Sequence, residues 1–196
     1  MRRDLLPSVL AIVVFTVVFG LAYPLATTGV AQILFPGKAD GSRVERNGKV
    51  VGSSLIGQDF KNKAAYFQSR PSATGYNPAG TFFGNLGPNQ KDLRAELRRN
   101  LAAYLKRERP ADPGLRAKDV PVDAVTTSGS GVDPHISVAN ARIQAHRVAR
   151  ARNLPLGRVD QLIDQNTDGR FLGLLGEPGV NVLDLNLALD KEGSVA

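Results

Sequence analysis

Hydrophobic residues are not spread evenly along this chain. From residue 5 to residue 37 there is no Asp, Glu, Lys or Arg, and the stretch 9–23 is interrupted only by Thr16 and Gly20. A helix rises about 1.5 Å per residue, so a helix over about residues 5–27 is long enough for a hydrocarbon core of about 30 Å. Residues 1–37 therefore read as an N-terminal membrane anchor. A cleaved signal peptide is the alternative, with Arg2 and Arg3 as its basic head and Gly29-Val30-Ala31 as a cleavage site. The apolar run is long for a signal core, and Ile33-Leu34-Phe35 stays apolar past that site, which favours an anchor that is retained.

Beyond residue 37 the pattern changes to short alternating and helical periods. Residues 42–46 and 49–53 flank Asn47-Gly48, a dipeptide that tolerates positive φ at both centres of a type I′ turn, and predict a β-hairpin. Tyr66-Phe67 before Arg70-Pro71, and residues 122–127, are shorter strand candidates. Leu183, Leu185, Leu187 and Leu189 alternate with polar or small residues and predict a late strand, although the same segment also fits a helix. Leu93, Leu97, Leu101 and Leu105 recur at i, i+4 and predict a helix over 90–109, with Asn89 as N-cap and Pro110 as its stop. A second helix is predicted over 138–152 behind Ser137, and Val159, Leu162 and Ile163 suggest a third. Residues 75–87 and Ser128-Gly129-Ser130-Gly131 are Gly-rich loops. The fold class expected is α+β, a single N-terminal transmembrane helix followed by one mixed α/β domain over 38–196, the size of an ordinary domain.

Composition narrows the chemistry. The chain has no cysteine and 2 histidines among its 196 residues, which excludes a disulfide framework and thiolate metal sites and disfavours a His-rich zinc site. His146, within an Arg-rich helix, reads as a surface or satisfied side chain rather than a ligand. The net charge of +7 is segregated. Residues 91–109 carry seven basic and three acidic side chains, and residues 137–152 carry Arg142, Arg147, Arg150 and Arg152 with no acid. Either these are solvated helix faces, or they form a basic surface for an acidic partner or phospholipid headgroups. Nucleic acid is a poor fit, because aromatic residues make up only 6% and no recognition motif frames the arginines.

Few residues suggest catalysis. Ser130, Asp133 and His135 lie within six positions, whereas a working triad holds its histidine between nucleophile and acid from elements distant in sequence. An Asp-Pro turn with hydroxyls capping local amides is the plainer reading. No GxSxG, GxxxxGK[ST] or GxGxxG occurs, so no nucleotide or cofactor cradle is recognisable. Asp190-Lys191-Glu192-Gly193 mimics part of an aspartyl-phosphate motif without its threonine and reads as tail.

Seven ordered segments are more specific. They are Tyr23-Pro24-Leu25, Gly52-Ser53-Ser54-Leu55-Ile56-Gly57-Gln58, Arg70-Pro71-Ser72-Ala73, Tyr76-Asn77-Pro78, Asn85-Leu86-Gly87-Pro88-Asn89, the run from Val125 to Ser137, and the run from Gly176 to Leu189. Together they resemble the C subunit of the bacterial Kdp-type potassium-transporting P-type ATPase, over nearly the whole chain. The resemblance implies a single-pass protein of the bacterial cell membrane, with its N-terminus cytoplasmic and its domain extracytoplasmic. It implies a complex with a pore-forming potassium subunit, an ATP-hydrolysing subunit and a small membrane peptide. The role implied is that of a non-catalytic accessory chain that supports assembly and raises the ATP affinity of the catalytic subunit, with ATP and potassium handled by the complex. A ternary nucleotide complex has been proposed for the family. Two departures stand out: Ala79-Gly80-Thr81-Phe82-Phe83-Gly84 replaces a common Ser-Gly-Gly-Ser run, and Gly179 stands where Arg is common.

On this reading the Gly-rich loops are the expected contact surface for a partner or nucleotide, through Tyr76, Asn77, Asn85, Leu86, Gly87, Ser128, Gly129, Ser130, Asp133 and His135. Asp123, Asp133 and Glu177 are candidates for acids lining an outer ion inlet, with pairing to the domain's own arginines as the alternative. No catalytic or metal-ligating residue is expected. The competing classes are a membrane-anchored extracytoplasmic serine hydrolase using Ser130 and His135, and a free-standing anchored interaction domain.

Overall fold

Residues 2–80, 82 and 84–193 are described in a computed structural model of the chain; Thr81 and Phe83, in the expected 75–87 loop, lie outside them. The chain divides into two units, Met1–Ser53 and Ser54–Ala196.

The first unit is dominated by the apolar run. Helix α1 (Arg2–Val17) passes through one π-helical turn (Val18–Ala22) into α2 (Tyr23–Leu34). Pro24 has no N–H for the carbonyl of Gly20, and the turn before it widens so that Tyr23 N–H bonds to Val18 O. The helix continues past residue 27, and Arg3–Leu34 is long and apolar enough to cross a membrane. At 1.5 Å per residue its length of about 48 Å exceeds a hydrocarbon core, which calls for tilt or overhang. A short turn of helix, α3 (Pro36–Ala39), precedes the hairpin of β1 (Arg43–Arg46) and β2 (Lys49–Ser53). The strands pair antiparallel with a bulge at Val44/Glu45, and Asn47 (φ 52°) and Gly48 (φ 72°) make the turn that their dipeptide predicts.

The second unit joins four helices to a small sheet. Helix α4 (Lys91–Glu108) is followed by 3₁₀ turns at Ala117–Asp119 and Val122–Ala124, then β3 (His135–Ser137), α5 (Val138–Arg152), α6 (Leu156–Gln165), β4 (Thr167–Asp168), β5 (Gly179–Asn181) and α7 (Val182–Lys191). The strands form an antiparallel sheet in the order β3-β5-β4. Small residues on α5, Ala141, Ala145, Val148 and Ala149, let it pack closely in a core with Phe67, Ile136, Val159, Ile163, Val180, Leu185 and Leu189. Asn153 ends α5 in the left-handed conformation, Leu154 N–H bonds to Ala149 O, and Pro155 starts α6. The expected α+β class, with one apolar N-terminal helix ahead of a mixed unit, is what is found.

Several local expectations are corrected. Tyr66-Phe67 joins no strand. The backbone of Phe67 pairs with the Asn186 side-chain amide (N–H to Oδ1 2.8 Å, Nδ2 to O 3.0 Å), and that of Gln68 pairs with the Gln144 amide in the same way (2.8 and 3.1 Å). Two side chains thus replace a neighbouring strand. Residues 122–127 curl instead of extending, because the Thr126 hydroxyl and N–H both donate to Val122 O. The late leucines lie on helix α7, which Asn181 starts by accepting the N–H groups of Leu183 and Asp184. In α4 the cap residue is Gln90, not Asn89, and it bonds back to Gly87 N–H. The four leucines of α4 are half-buried, while Tyr104 and Glu108 are its buried side chains.

Candidate functional site

Two of the expected contact segments meet around Arg70. Its guanidinium donates to Asp133 Oδ2 (3.0 Å), Thr126 Oγ1 (3.3 Å) and Thr127 O (3.4 Å). Ser72 donates to Gly131 O (2.6 Å) and accepts the N–H of Thr74 and of Tyr76. Ser128 N–H reaches Pro71 O, Gly57 N–H reaches Val132 O, and the Tyr76 hydroxyl closes on Arg70 O (2.6 Å). The Arg-Pro-Ser segment therefore laces the Tyr76 turn to the Ser128–Asp133 loop through polar contacts on both strands of chain. Asn77 accepts Ala79 N–H, and Gly129 is exposed at the loop. Asn85, Leu86 and Gly87 stand apart at the entry to α4, where Gly87 meets Gln90.

Ser130, Asp133 and His135 do not assemble as a triad. The exposed Ser130 hydroxyl accepts Val132 N–H, Asp133 accepts His135 N–H and Arg70, and the His135 ring turns to Asp168 (Nε2 to Oδ2 3.0 Å). Ser130 and His135 share no hydrogen bond among the described residues. The three acids considered for an ion path sit on separate segments and share no partner. Asp123 accepts Ser137 N–H, Ser137 Oγ and Asn140 Nδ2, closing the start of α5. Asp133 pairs with Arg70, and Glu177 is an exposed pair with Arg170. Among the described residues no group of three His, Cys, Asp or Glu could hold a metal ion.

Beside the Arg70 junction lies a polar cleft of about 210 Å³, lined by Asp59, Asn62, Gln68, Tyr76, Asn100 and Arg107 among others. Burial pushes the Tyr76 phenol up to about 12, the charge of Asp59 adds to this and Arg107 opposes it. The phenol is therefore a neutral hydrogen-bonding group at neutral pH.

The basic helices differ in role. On α4, the side chains of Lys91, Arg94, Arg98, Arg99 and Lys106 are exposed and have no ion pair among the described residues. On α5 the arginines divide: Arg147 and Arg152 turn inward, which corrects the reading of the whole helix as a solvated or docking face, while Arg142 and Arg150 stay exposed as that reading expects. Arg142 pairs with Asp164, Arg150 donates to Pro110 O, and Arg152 joins Asp190, Ala65 O and Leu189 O over the Tyr66 ring. Arg147 is buried against Glu108. His146 is exposed, as expected. The polar residues that organise the unit, Gln68, Glu108, Gln144, Arg147 and Asn186, carry no periodic signal. Arg70 and Asn186 did lie within motifs that the sequence singled out.

One N-terminal helix long and apolar enough to cross a membrane thus precedes an α+β unit whose polar groups chiefly hold its own loops. Residues 5–191 match the family described as KdpC, the c chain of the K+-transporting ATPase. The chain belongs to this family. Curated relatives named potassium-transporting ATPase KdpC subunit include one from Mycobacterium tuberculosis (strain ATCC 25618 / H37Rv), 52% identical over 97% of this chain and 100% of its own length. Others come from Bradyrhizobium diazoefficiens, 49% identical over 97% of this chain and 98% of that one, and Methylorubrum extorquens, 50% identical over 96% and 97%.

Proposed function

We propose that this chain is a non-catalytic accessory subunit of an ATP-driven potassium uptake complex, held in the cell membrane by its N-terminal helix with the second unit on the extracytoplasmic side. Its partners are a pore-forming potassium subunit, an ATP-hydrolysing P-type subunit and a small membrane peptide. It supports their assembly and raises the ATP affinity of the catalytic subunit. The observation that carries this reading is the pairing of a membrane-crossing helix with a unit whose reactive-looking side chains, Ser130, Asp133 and His135, are each tied to a different neighbour.

With this topology about 30 Å of hydrocarbon separates the second unit from cytoplasmic ATP, so direct contact is excluded and linkage remains. If the chain binds one transport conformation more tightly, and that conformation binds ATP more tightly, apparent ATP affinity rises without contact. A coupling of about 1–3 kcal/mol corresponds to a 5- to 150-fold effect. Potassium and ATP are then substrates of the complex, not ligands of this chain.

The test is ATP-dependent hydrolysis by the complex purified with and without this chain. Removing it is expected to raise the ATP concentration for half-maximal rate by at least about fivefold, and an unchanged value would refute the reading. Ser130→Ala is expected to leave potassium transport intact. Labelling of Ser130 by a fluorophosphonate would overturn the non-catalytic assignment.

A further inference from the structure

The cations of α4 gather on one side of the helix. At about 100° of rotation per residue, Lys91, Arg94, Arg98, Arg99 and Lys106 fall within an arc of about 140° along about 22 Å of helix. Ala95, Ala102 and the half-buried Leu105 are the other residues of that arc, and Asp92 and Glu96 fall outside it. Within the helix this arrangement is unfavourable. Lys91 and Arg94, and Arg94 and Arg98, are like charges at i, i+3 and i, i+4, and Lys91 lies in the first turn, where the helix dipole disfavours a cation. The arginines of α5 each have a partner, in Asp164, Glu108, Asp190 or the Pro110 carbonyl. Those of the α4 arc have no ion pair among the described residues, so an anion that offsets their repulsion must come from outside the unit.

The composition of the arc and the length of the tether choose that anion. A specific protein contact is usually anchored by aromatic side chains or a firmly held arginine. The arc has no Trp, Tyr, Phe or Met, and its side chains are long and exposed. A row of mobile cations instead suits a fluid array of phosphate headgroups, which demands no fixed register. The chain also keeps the unit beside a bilayer: Ser54 follows Leu34, the end of the membrane-crossing helix, by twenty residues. Even fully extended, that connection reaches about 70 Å, and such a tether lets a weak electrostatic contact count as an intramolecular one. We propose that the basic arc of α4 is a second membrane contact, lying on anionic phospholipid headgroups of the bilayer that holds the N-terminal helix. The opposite side of α4 carries the buried Tyr104 and Glu108, so the helix rests on the headgroups without inserting. The proposal rests on the membrane anchoring given above and not on the accessory role.

Because the chain has no cysteine, Ala102→Cys provides a single exposed site in the middle of the arc for a neutral bimane fluorophore. The full chain is placed in nanodiscs of phosphatidylcholine, part of it carrying a headgroup nitroxide as quencher. Replacing about 30% of the lipid by phosphatidylglycerol is expected to raise quenching at least about threefold, and KCl at about 0.5 M is expected to reverse the rise. Arg94→Gln, Arg98→Gln and Arg99→Gln together should abolish it. Lysine at the same three positions should retain it, since headgroup attraction needs charge and not a planar fork. All three side chains are exposed, so both sets of variants keep the parent's unfolding transition. Equal quenching with and without phosphatidylglycerol, or a rise that survives the glutamine variant, would overturn the proposal. A rise seen only after the other transporter subunits are added would assign the arc to an acidic protein and overturn it as well. A chain that fails to enter nanodiscs would remove the anchoring and the proposal with it, an outcome distinct from an anchored chain that ignores lipid charge.

Discussion

Replacing Glu108 by alanine tests the account of what holds the second unit together. The Glu108 side chain is 0% exposed and that of Arg147 is 7% exposed. Arg147 Nε lies 2.9 and 3.2 Å from the two carboxylate oxygens, and Arg107 Nε adds a third contact at 2.6 Å. The rest of the Arg147 guanidinium accepts the curvature of the 63–66 segment, donating to Lys63 O (3.5 Å), Ala64 O (2.5 Å), Tyr66 O (2.9 Å) and Gln144 Oε1 (3.0 Å). Burial pushes the Arg147 guanidinium down from its ordinary range, with Glu108 opposing. Removing one member of such a buried pair costs about 3–5 kcal/mol, because the other charge is left without its counterion. In Glu108→Ala the cation keeps four neutral acceptors, which places the loss near about 3 kcal/mol. In Arg147→Ala the Glu108 carboxylate keeps Arg107 Nε at 2.6 Å, but the carbonyls of Ala64 and Tyr66 lose their donor, and the loss falls within the same range of about 3–5 kcal/mol. For a unit of this size these losses lower the midpoint by about 6–20 °C. The assay is thermal unfolding of the full chain in detergent, followed by near-ultraviolet circular dichroism of Tyr66, Tyr76 and Tyr104. The double variant Glu108→Leu/Arg147→Met should lose far less than the sum of the single losses, since an apolar pair of similar volume needs no counterion. Single losses below about 1 kcal/mol, the range of exposed ion pairs, would refute the reasoning.

The knot around Arg70 depends on close backbone approach. A Cβ at Gly57 would collide with the backbone carbonyl of Asp133, and one at Gly131, whose φ is +74°, would meet Thr74 Oγ1 at 2.5 Å. Gly57→Ala and Gly131→Ala are each expected to destabilise by about 1–3 kcal/mol, while Gly129→Ala, with open space around its Cβ, stays within about 0.5 kcal/mol in the same unfolding assay. Equal effects at the three sites would refute the packing described. Asp184 gives a pH-dependent case: burial first, then the charge of Asp168, hold its carboxyl above the usual carboxylate range, with His135 opposing. A raised carboxyl favours the folded state below its unfolded value, and that contribution is lost as pH rises through the folded value. Asp184→Asn should therefore match the parent well below the ordinary carboxylate value of about 3.9 and unfold at a higher temperature than the parent at neutral pH. A parent more stable than the variant at neutral pH would contradict the burial of this carboxyl.

Features carried by neighbouring residues were legible in the sequence alone. The charge-free run announced the long apolar N-terminal helix, Asn47-Gly48 the hairpin turn, and Ser137 the start of α5, where its hydroxyl accepts Asn140 N–H at 3.1 Å. The ordered motifs pointed to the family, which the match over residues 5–191 establishes. Tertiary structure decided the rest. Tyr66-Phe67 has the composition of a strand, yet the backbones of Phe67 and Gln68 find their partners in side-chain amides 119 and 76 positions away. The charge on α5 was countable, but not its direction: Arg147 and Arg152 point inward because Glu108 and Asp190 wait there, brought in by α4 and α7. Local sequence states which backbone conformations come cheaply, whereas satisfying a buried polar group requires a partner, and only the folded chain brings that partner within reach.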